Sequence, residues 1–444
     1  MSGSSSSGSS EAAAATAAPR KEKDAAAGEA AAAASGGSSG DAAHNSSLQK
    51  LTAEQAISQE KYPICEIARL LHVLRLPQDV SFFGEDAPAA AAAAKEELLR
   101  IIKENDMLPV YLKACEEFHW TVDEALVKEM ERKHAEELQG LENRLQEAEE
   151  KYGDVEVRDV LLTKANFYCR IGDVSRAVQA YEVTYEKTVG VGGQIDIILT
   201  IIRLGFVFGD RELVKKYVAR AEERLETGGD WERRNKMKVY RGLLLITSRQ
   251  LKEAADLLLS VLQTFPACSL LSFREFIALA TLLALLTENR RVLREDVILS
   301  PPVLEGADEQ LKNFLHAFYY SRYREFMQLL CPMARRIRRD VYLGRHYLFF
   351  IRALRLHAYS QFLEPYKSVT VENMAAAFGV SASFIEEEVG SFISSGKLNC
   401  RIDRLNAVIE SNRPDERSKS YLQIVKQGDV LLNRIQKLSR VIAM

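Results

Sequence analysis

Apolar residues recur every three to four positions over most of this chain, the period of helices that bury one face. Residues 64–76 and 96–108 read as two such helices, with an alanine-rich link at 87–94 before the second. Residues 123–152 read as one long charged helix. Its Leu138, Leu141, Leu145, Ala148 and Tyr152 are spaced 3, 4, 3 and 4 apart and draw one seam, expected to lie against the next domain.

From Asp159 the pattern becomes a series of hairpins. Residues 161–170 and 174–187 flank Gly172-Asp173, 199–208 and 212–225 flank Gly209-Asp210, and 236–247 precedes 250–262. Ala165, Gly172 and Ala177 are small where two helices must approach, and Tyr168 and Tyr181 are the larger fillers. Gly228-Gly229 predicts a helix stop, and Asp230 the cap of the next helix. The recurring turns predict a bihelical solenoid of tetratricopeptide type.

Near residue 369 the pattern changes. Residues 369–378 predict a short helix, Gly379 a tight turn, and Ser381 or Ser383 the cap of a second helix through Ser394. Ser383 and Glu386 have capping-box spacing. Residues 398–402 then alternate as a strand, with Leu398, Cys400 and Ile402 on one face and Asn399 and Arg401 on the other. A second strand at 407–410 (Ala407, Val408, Ile409, Glu410) completes the order of a winged helix. A terminal helix follows at 415–443, where Tyr421, Ile424, Gly428, Leu431, Ile435, Leu438 and Ile442 form a heptad stripe. A stripe placed after a complete small domain calls for a partner helix.

The expected fold is therefore mainly α: a tetratricopeptide-like solenoid, a winged helix and a long C-terminal helix. Composition refines this. With 444 residues, 47% of them hydrophobic, the chain has room for several folding units or one extended array. Residues 1–47 contain no Leu, Ile, Val, Phe, Tyr or Trp, so they cannot offset chain entropy by burial and are expected to be a disordered tail. The expected organisation is a tail at 1–47, N-terminal helices at 48–155, helical repeats at 156–365, a winged helix at 366–412 and a bundle helix at 413–444.

The formal charge of −3 rules out a globally basic surface for nucleic acid. The second helix of the winged helix carries Glu386, Glu387 and Glu388 and no Lys or Arg, so it would repel a phosphate backbone. Tyr319, Tyr320, Arg322, Tyr323 and Arg324, with Arg335, Arg336, Arg338 and Arg339, interleave aromatics and cations as some RNA binders do. Their register with Phe314, Leu315 and Phe318 instead predicts core packing with a basic outer face. No run of about 18 apolar residues is found for a membrane span. No apolar leader opens the chain, so the Asn45-Ser46-Ser47 sequon is expected to be silent.

Enzymatic signals are weak. The six cysteines form no CxxC pair, and the seven histidines no HExxH or HxH pair, so no metal site is expected. Gly390 and Gly396-Lys397 imitate a phosphate loop, but five residues separate the glycines and Leu398 stands where Ser or Thr should hold magnesium. No cofactor and no catalytic residue is expected, and the chain is read as a non-catalytic interaction scaffold.

Specific stretches extend this reading. Arg170-Ile-Gly-Asp173, Glu226-Thr-Gly-Gly-Asp-Trp-Glu-Arg-Arg-Asn235, Met374-Ala-Ala-Ala-Phe-Gly-Val380, Gly396-Lys-Leu-Asn-Cys-Arg-Ile-Asp403, Glu410-Ser-Asn-Arg-Pro-Asp415 and Leu431-Leu-Asn-Arg-Ile-Gln-Lys-Leu-Ser-Arg-Val-Ile442 resemble the PCI-domain family. That family supplies subunits of the proteasome lid, the COP9 signalosome and translation initiation factor 3. The last stretch is most similar to the proteasome members. The resemblance runs from about Tyr62 to Met444, with the PCI domain itself at roughly 248–416.

The resemblance implies a lid scaffold needed for assembly and for ATP-dependent degradation of ubiquitinated proteins, in cytoplasm and nucleus. Implied partners are other PCI subunits, the lid deubiquitinase subunit and the ATPase ring, with no membrane and no nucleic acid. Leu398, Asn399, Cys400, Arg401, Ile402, Ala407, Val408 and Ile409 would meet a neighbouring winged helix. Tyr421, Ile424, Leu431, Ile435, Leu438 and Ile442 would enter a helical bundle. A signalosome or initiation-factor subunit is the alternative within the family, and a nucleic-acid-binding winged helix the alternative outside it.

Overall fold

The structure is a computed structural model that describes residues 62–76, 87–151, 153–266, 268–412 and 416–442. The expected tail at 1–47, and Tyr152 of the long seam, lie outside the described residues. The described residues all belong to one unit, Glu54–Met444.

Helices α1 (Glu66–Arg75), α2 (Ala87–Asn105) and α3 (Leu108–Phe118) share a small core of Ile67, Leu98, Ile102, Met107 and Val110. The alanines expected to form a link are instead the first turns of α2, with Ala91 and Ala94 buried. Alanine loses no side-chain entropy on entering a helix, and its small side chain lets the partner come close. Helix α4 (Glu124–Lys151) lays the predicted seam inward: Leu138 and Leu141 pack on Phe167 of α5 (Asp154–Ile171), and Ala148 is buried.

The first two repeat hairpins use one device twice. Gly172 ends α5 at φ 86°, and the Asp173 carboxylate accepts the Arg176 amide to start α6 (Val174–Lys187). Gly209 ends α7 (Val191–Phe208) at φ 77°, and Asp210 accepts the amides of Glu212 and Leu213 to start α8 (Arg211–Thr227). Glycine enters the left-handed region without a Cβ penalty, and aspartate satisfies amides left unpaired at the next helix start. The third hairpin, α9 (Trp231–Thr247) and α10 (Leu251–Val261), turns instead through Arg249 at φ 63°. Asp230 stands at the N-cap position of α9 as expected, but its carboxylate accepts no amide of the first turn. Its side chain pairs with Arg233, which also grips Asp196 of α7 at 2.7 Å.

Helix α7 is apolar on nearly all sides and is covered by its neighbours, with Ile195, Ile198, Ile201, Ile202 and Leu204 buried. By length and composition it would suffice to cross a membrane, although Asp196 and Arg203 interrupt its apolar run. Most of it is buried within the array, as expected of a central core helix.

Helices α11 (Phe273–Thr287), α12 (Pro301–Gly306), α13 (Glu309–Tyr319), α14 (Tyr323–Arg339) and α15 (Tyr347–Leu363) continue the array. Phe314 stacks on Phe326 at 4.9 Å between centroids, and Phe318 and Tyr323 are also buried. Arg336 pairs with Asp308, while Arg335 and Arg339 point outward. The basic-aromatic stretch thus packs Tyr323 inward and leaves Tyr319 half-buried, while Tyr320, 61% exposed, departs from the expected inward packing and stands outside with Arg322, Arg324, Arg335 and Arg339.

The winged helix follows: β1 (Ser368–Thr370), α16 (Val371–Phe378), α17 (Ala382–Ser394), β2 (Cys400–Asp403) and β3 (Val408–Ser411). Strand β1 corrects the expectation that the helix begins at Val369. Its three residues are too few to show alternation, and its partner lies some forty residues later in the chain. Ser381 caps α17 by accepting the Phe384 amide at 3.4 Å, which settles the choice between Ser381 and Ser383. The last element is α18 (Glu416–Ile442).

Candidate interaction surfaces

The sheet has the order β1-β3-β2, so β3 is its centre. Antiparallel ladders pair Val369 and Arg401 with the adjacent β3 residues Ile409 and Glu410. Beyond the strands, Val371 donates to the Ala407 carbonyl at 2.8 Å, Ser411 to Lys367 at 2.8 Å and Asn412 to Asn399 at 2.9 Å. Both sides of β3 are therefore occupied, and the outer edge on the wing side belongs to β2.

The sequence-predicted wing residues separate accordingly. Leu398, Cys400 and Ile409 are buried and face the domain's own helices. Ile402 and Val408 are half-buried, while Asn399, Arg401 and Ala407 are exposed. The surface this wing leaves exposed is therefore Asn399, Arg401 and the β2 edge rather than the apolar side chains. Ladder alternation turns the Ile402 backbone toward that edge, because Arg401 and Asp403 point theirs at β3.

The wing tip is a built turn. Asp403 accepts the Asn406 side-chain amide at 2.7 Å and the Leu405 backbone amide at 3.0 Å, and these bonds hold its carboxyl below the usual range. Ala407 closes the turn at φ 51°. Leu405, 97% exposed, stands at the tip, and neighbouring Arg404 reaches Glu386 of α17 at 2.9 Å. Leu405 was not singled out from the sequence; a lone leucine between Arg404 and Asn406 in a polar turn is the signal that marks it.

The acidic run on α17 is divided. Glu387 is exposed, Glu386 meets Arg404, and Glu388 turns inward to α15. There Glu388 accepts the Tyr359 hydroxyl at 2.6 Å and lies 2.6 Å from Arg355. This helix carries no lysine or arginine, so it presents no cationic side chain to a phosphate backbone.

Helix α18 presents a long exposed apolar surface. No side chain described on it is buried or half-buried. Tyr421, Ile424, Leu431, Ile435, Leu438 and Ile442 are 52–75% exposed, and Leu422, Val425 and Leu432 join them. At 100° per residue the main apolar face is roughly 140° wide, broader than a strict two-position seam. The helix is about 40 Å long at 1.5 Å per residue. It does not fold back onto its own winged helix, and its apolar face is left uncovered.

Among the described residues no group of three His, Cys, Asp or Glu side chains is placed to hold a metal ion.

Comparison with known proteins agrees with this architecture segment by segment. The family described as 26S proteasome subunit RPN7 matches residues 123–296, and the PCI domain matches 323–413. The C-terminal helix of the 26S proteasome regulatory subunit RPN7/PSMD6 matches 421–442, the exposed stripe itself. The 26S proteasome non-ATPase regulatory subunit 6 of Dictyostelium discoideum is 40% identical over 347 residues, covering 78% of this chain and 91% of that protein. Its Arabidopsis thaliana homologue is 41% identical over 350 residues, covering 78% and 90%. The 26S proteasome regulatory subunit RPN7 of Saccharomyces cerevisiae is 35% identical over 371 residues, covering 78% and 86%. With repeats, winged helix and terminal helix each matched in order, the chain belongs to the family of the 26S proteasome non-ATPase regulatory subunit 6.

Proposed function

We propose that this chain is a non-catalytic scaffold subunit of the proteasome regulatory particle lid, required for its assembly and hence for ATP-dependent degradation of ubiquitinated proteins. The observation that carries the reading is α18, whose apolar face is wholly exposed in the isolated chain. An apolar surface of that size is costly in water and is stabilised when another helix covers it. On this reading α18 enters a bundle with the terminal helices of other lid subunits. The β2 edge, with Asn399 and Arg401 beside it, adds to the sheet of a neighbouring winged helix. The domain division at 155/156, 365/366 and 412/413 separates the repeat array from these two assembly elements. The lid deubiquitinase subunit and the ATPase ring are positioned through the complex rather than by chemistry of this chain, which works in cytoplasm and nucleus.

Affinity purification of the tagged chain from its own cells, followed by mass spectrometry, tests this. Recovery of lid, ATPase and core-particle subunits is expected. Recovery of signalosome or initiation-factor subunits in their place would overturn the assignment to the lid while leaving the scaffold architecture intact.

A further inference from the structure

A cleft of about 200 Å³ lies where α1, α3, the α7–α8 turn, α9 and residues 341–345 converge. Its floor is apolar, with Leu71, Val110, Phe206 and Leu244. Around it stand four cations, Arg75, Lys113, Arg211 and Arg345, against two carboxylates, Glu117 and Asp210. Both carboxylates are already engaged. Glu117 takes two hydrogen bonds from Arg75 at 2.5 and 2.8 Å. Asp210 is committed to the Glu212 and Leu213 amides, each at 3.1 Å.

That leaves Lys113, Arg211 and Arg345, none of which has a carboxylate within 4.0 Å among the described residues. Lys113 stands 6.0 Å from the centroid of Phe208. A further cation lies close by: Arg249 is 3.0 Å from Nδ1 of His346, the residue after Arg345. Burial and then the Arg345 charge hold the Arg211 guanidinium below its usual value, so the two cations sense each other. Three cations gathered at one cleft against the single remaining charge of Asp210 leave an excess of like charge that raises the energy of the folded chain, and an anion placed between them removes that cost.

We propose that this cleft binds a phosphate-bearing small molecule through Arg211, Arg345 and Lys113. Guanidinium forks match phosphate oxygens in pairs, and lysine adds a point charge. The cations surround one cleft instead of tracking a groove, and its volume suits a short run of phosphoryl groups better than an acidic peptide. The α8 N-terminus contributes no anion-binding amides at its second and third positions, because Asp210 already occupies them. Recognition therefore rests on the side chains. This inference is independent of the lid assignment.

Isothermal titration calorimetry of the full chain with sodium tripolyphosphate, at low ionic strength, tests it. One molecule is expected to bind per chain. Arg211→Gln with Arg345→Gln is expected to weaken binding roughly tenfold or more. Arg291→Gln with Arg294→Gln, which removes the same charge from an exposed segment elsewhere, is expected to leave it unchanged. Without ligand the first variant is expected to melt no lower than the parent, since it removes repulsion. Should it fail to fold, Lys113→Gln alone, an exposed change, carries the same test. Absence of tripolyphosphate binding, equal loss in both double variants, or tighter binding of a hexaglutamate peptide would each overturn the proposal, the last in favour of an acidic protein segment.

Discussion

The Tyr359 hydroxyl donates to the Glu388 carboxylate at 2.6 Å, joining the last helix of the repeat array to the second helix of the winged helix. Arg355 completes the tie 2.6 Å from the same carboxylate, and Tyr359 stacks edge-on against Phe378 at 4.9 Å between centroids. The array and the winged helix are thus coupled by a charged knot set in aromatic packing. An acidic face that would be wrong for DNA is partly spent on this internal contact.

Replacing Tyr359 by Phe removes the hydroxyl while Arg355 still pairs with Glu388. A loss of about 1–2 kcal/mol is expected. Glu388→Ala leaves Arg355, 24% exposed, without its carboxylate, and the expected loss is larger, roughly 2–3 kcal/mol after allowance for that exposure. Urea unfolding midpoints at unchanged slope measure both. Midpoints equal to the parent would mean the knot carries no stability.

Gly172 and Gly209 end equivalent helices at similar positive φ, yet their surroundings differ. A Cβ on Gly172 would lie 2.6 Å from Val110 Cγ2 and 3.2 Å from Phe208 Cζ, whereas nothing lies within 4 Å of one on Gly209. Gly209→Ala is expected to cost about 1 kcal/mol from backbone conformation alone. Gly172→Ala is expected to cost roughly 2 kcal/mol or more, because overpacking adds to it. Equal losses in denaturant titrations would show that Val110 gives way freely.

Leu431→Asp with Leu438→Asp changes side chains that are 59% and 61% exposed. The isolated chain is expected to melt within about 0.5 kcal/mol of the parent, as surface substitutions do. Incorporation into the particle, followed by native gel and pull-down, is expected to fail, because an assembled seam would bury two unpaired charges. A variant that assembles normally would remove α18 as an assembly element.

His357 lies parallel to Phe318 at 5.2 Å between centroids, and burial holds its pKa below the ordinary 6.5, offset in part by Glu364. The unfolded chain therefore takes up a proton more readily than the folded one just below that value. The stability that the neutral ring contributes is present above pH 6.5 and is lost as pH falls toward the depressed folded value. His357→Gln is expected to flatten the fall in melting temperature between about pH 7.5 and pH 5.5. Part of the slope will remain, since His346 is depressed in the same sense. An unchanged slope would exclude His357 as a source.

The local code of this chain was sufficient for much of its architecture. The Gly-Asp pairs at 172–173 and 209–210 specify stop and start through short-range backbone geometry, so two hairpins were legible without any knowledge of contacts. The heptad spacing from Tyr421 to Ile442 likewise marked α18, because one helix suffices to align a stripe. Contacts between distant segments were not legible. Strand β1 exists only because Val408–Ser411 returns beside it, and that same return makes β3 a central strand and buries Ile409. Asp230 keeps the N-cap position of α9, but its carboxylate pairs with Arg233, which also reaches Asp196 of α7, a contact that capping chemistry alone does not reveal. The cleft below Arg211 and Arg345 draws its walls from segments more than two hundred residues apart. Periodicity and capping act within a few residues and can be read along the chain, whereas strand order, charge pairing and clefts are set by which faces meet, and that was decided only by the packed chain.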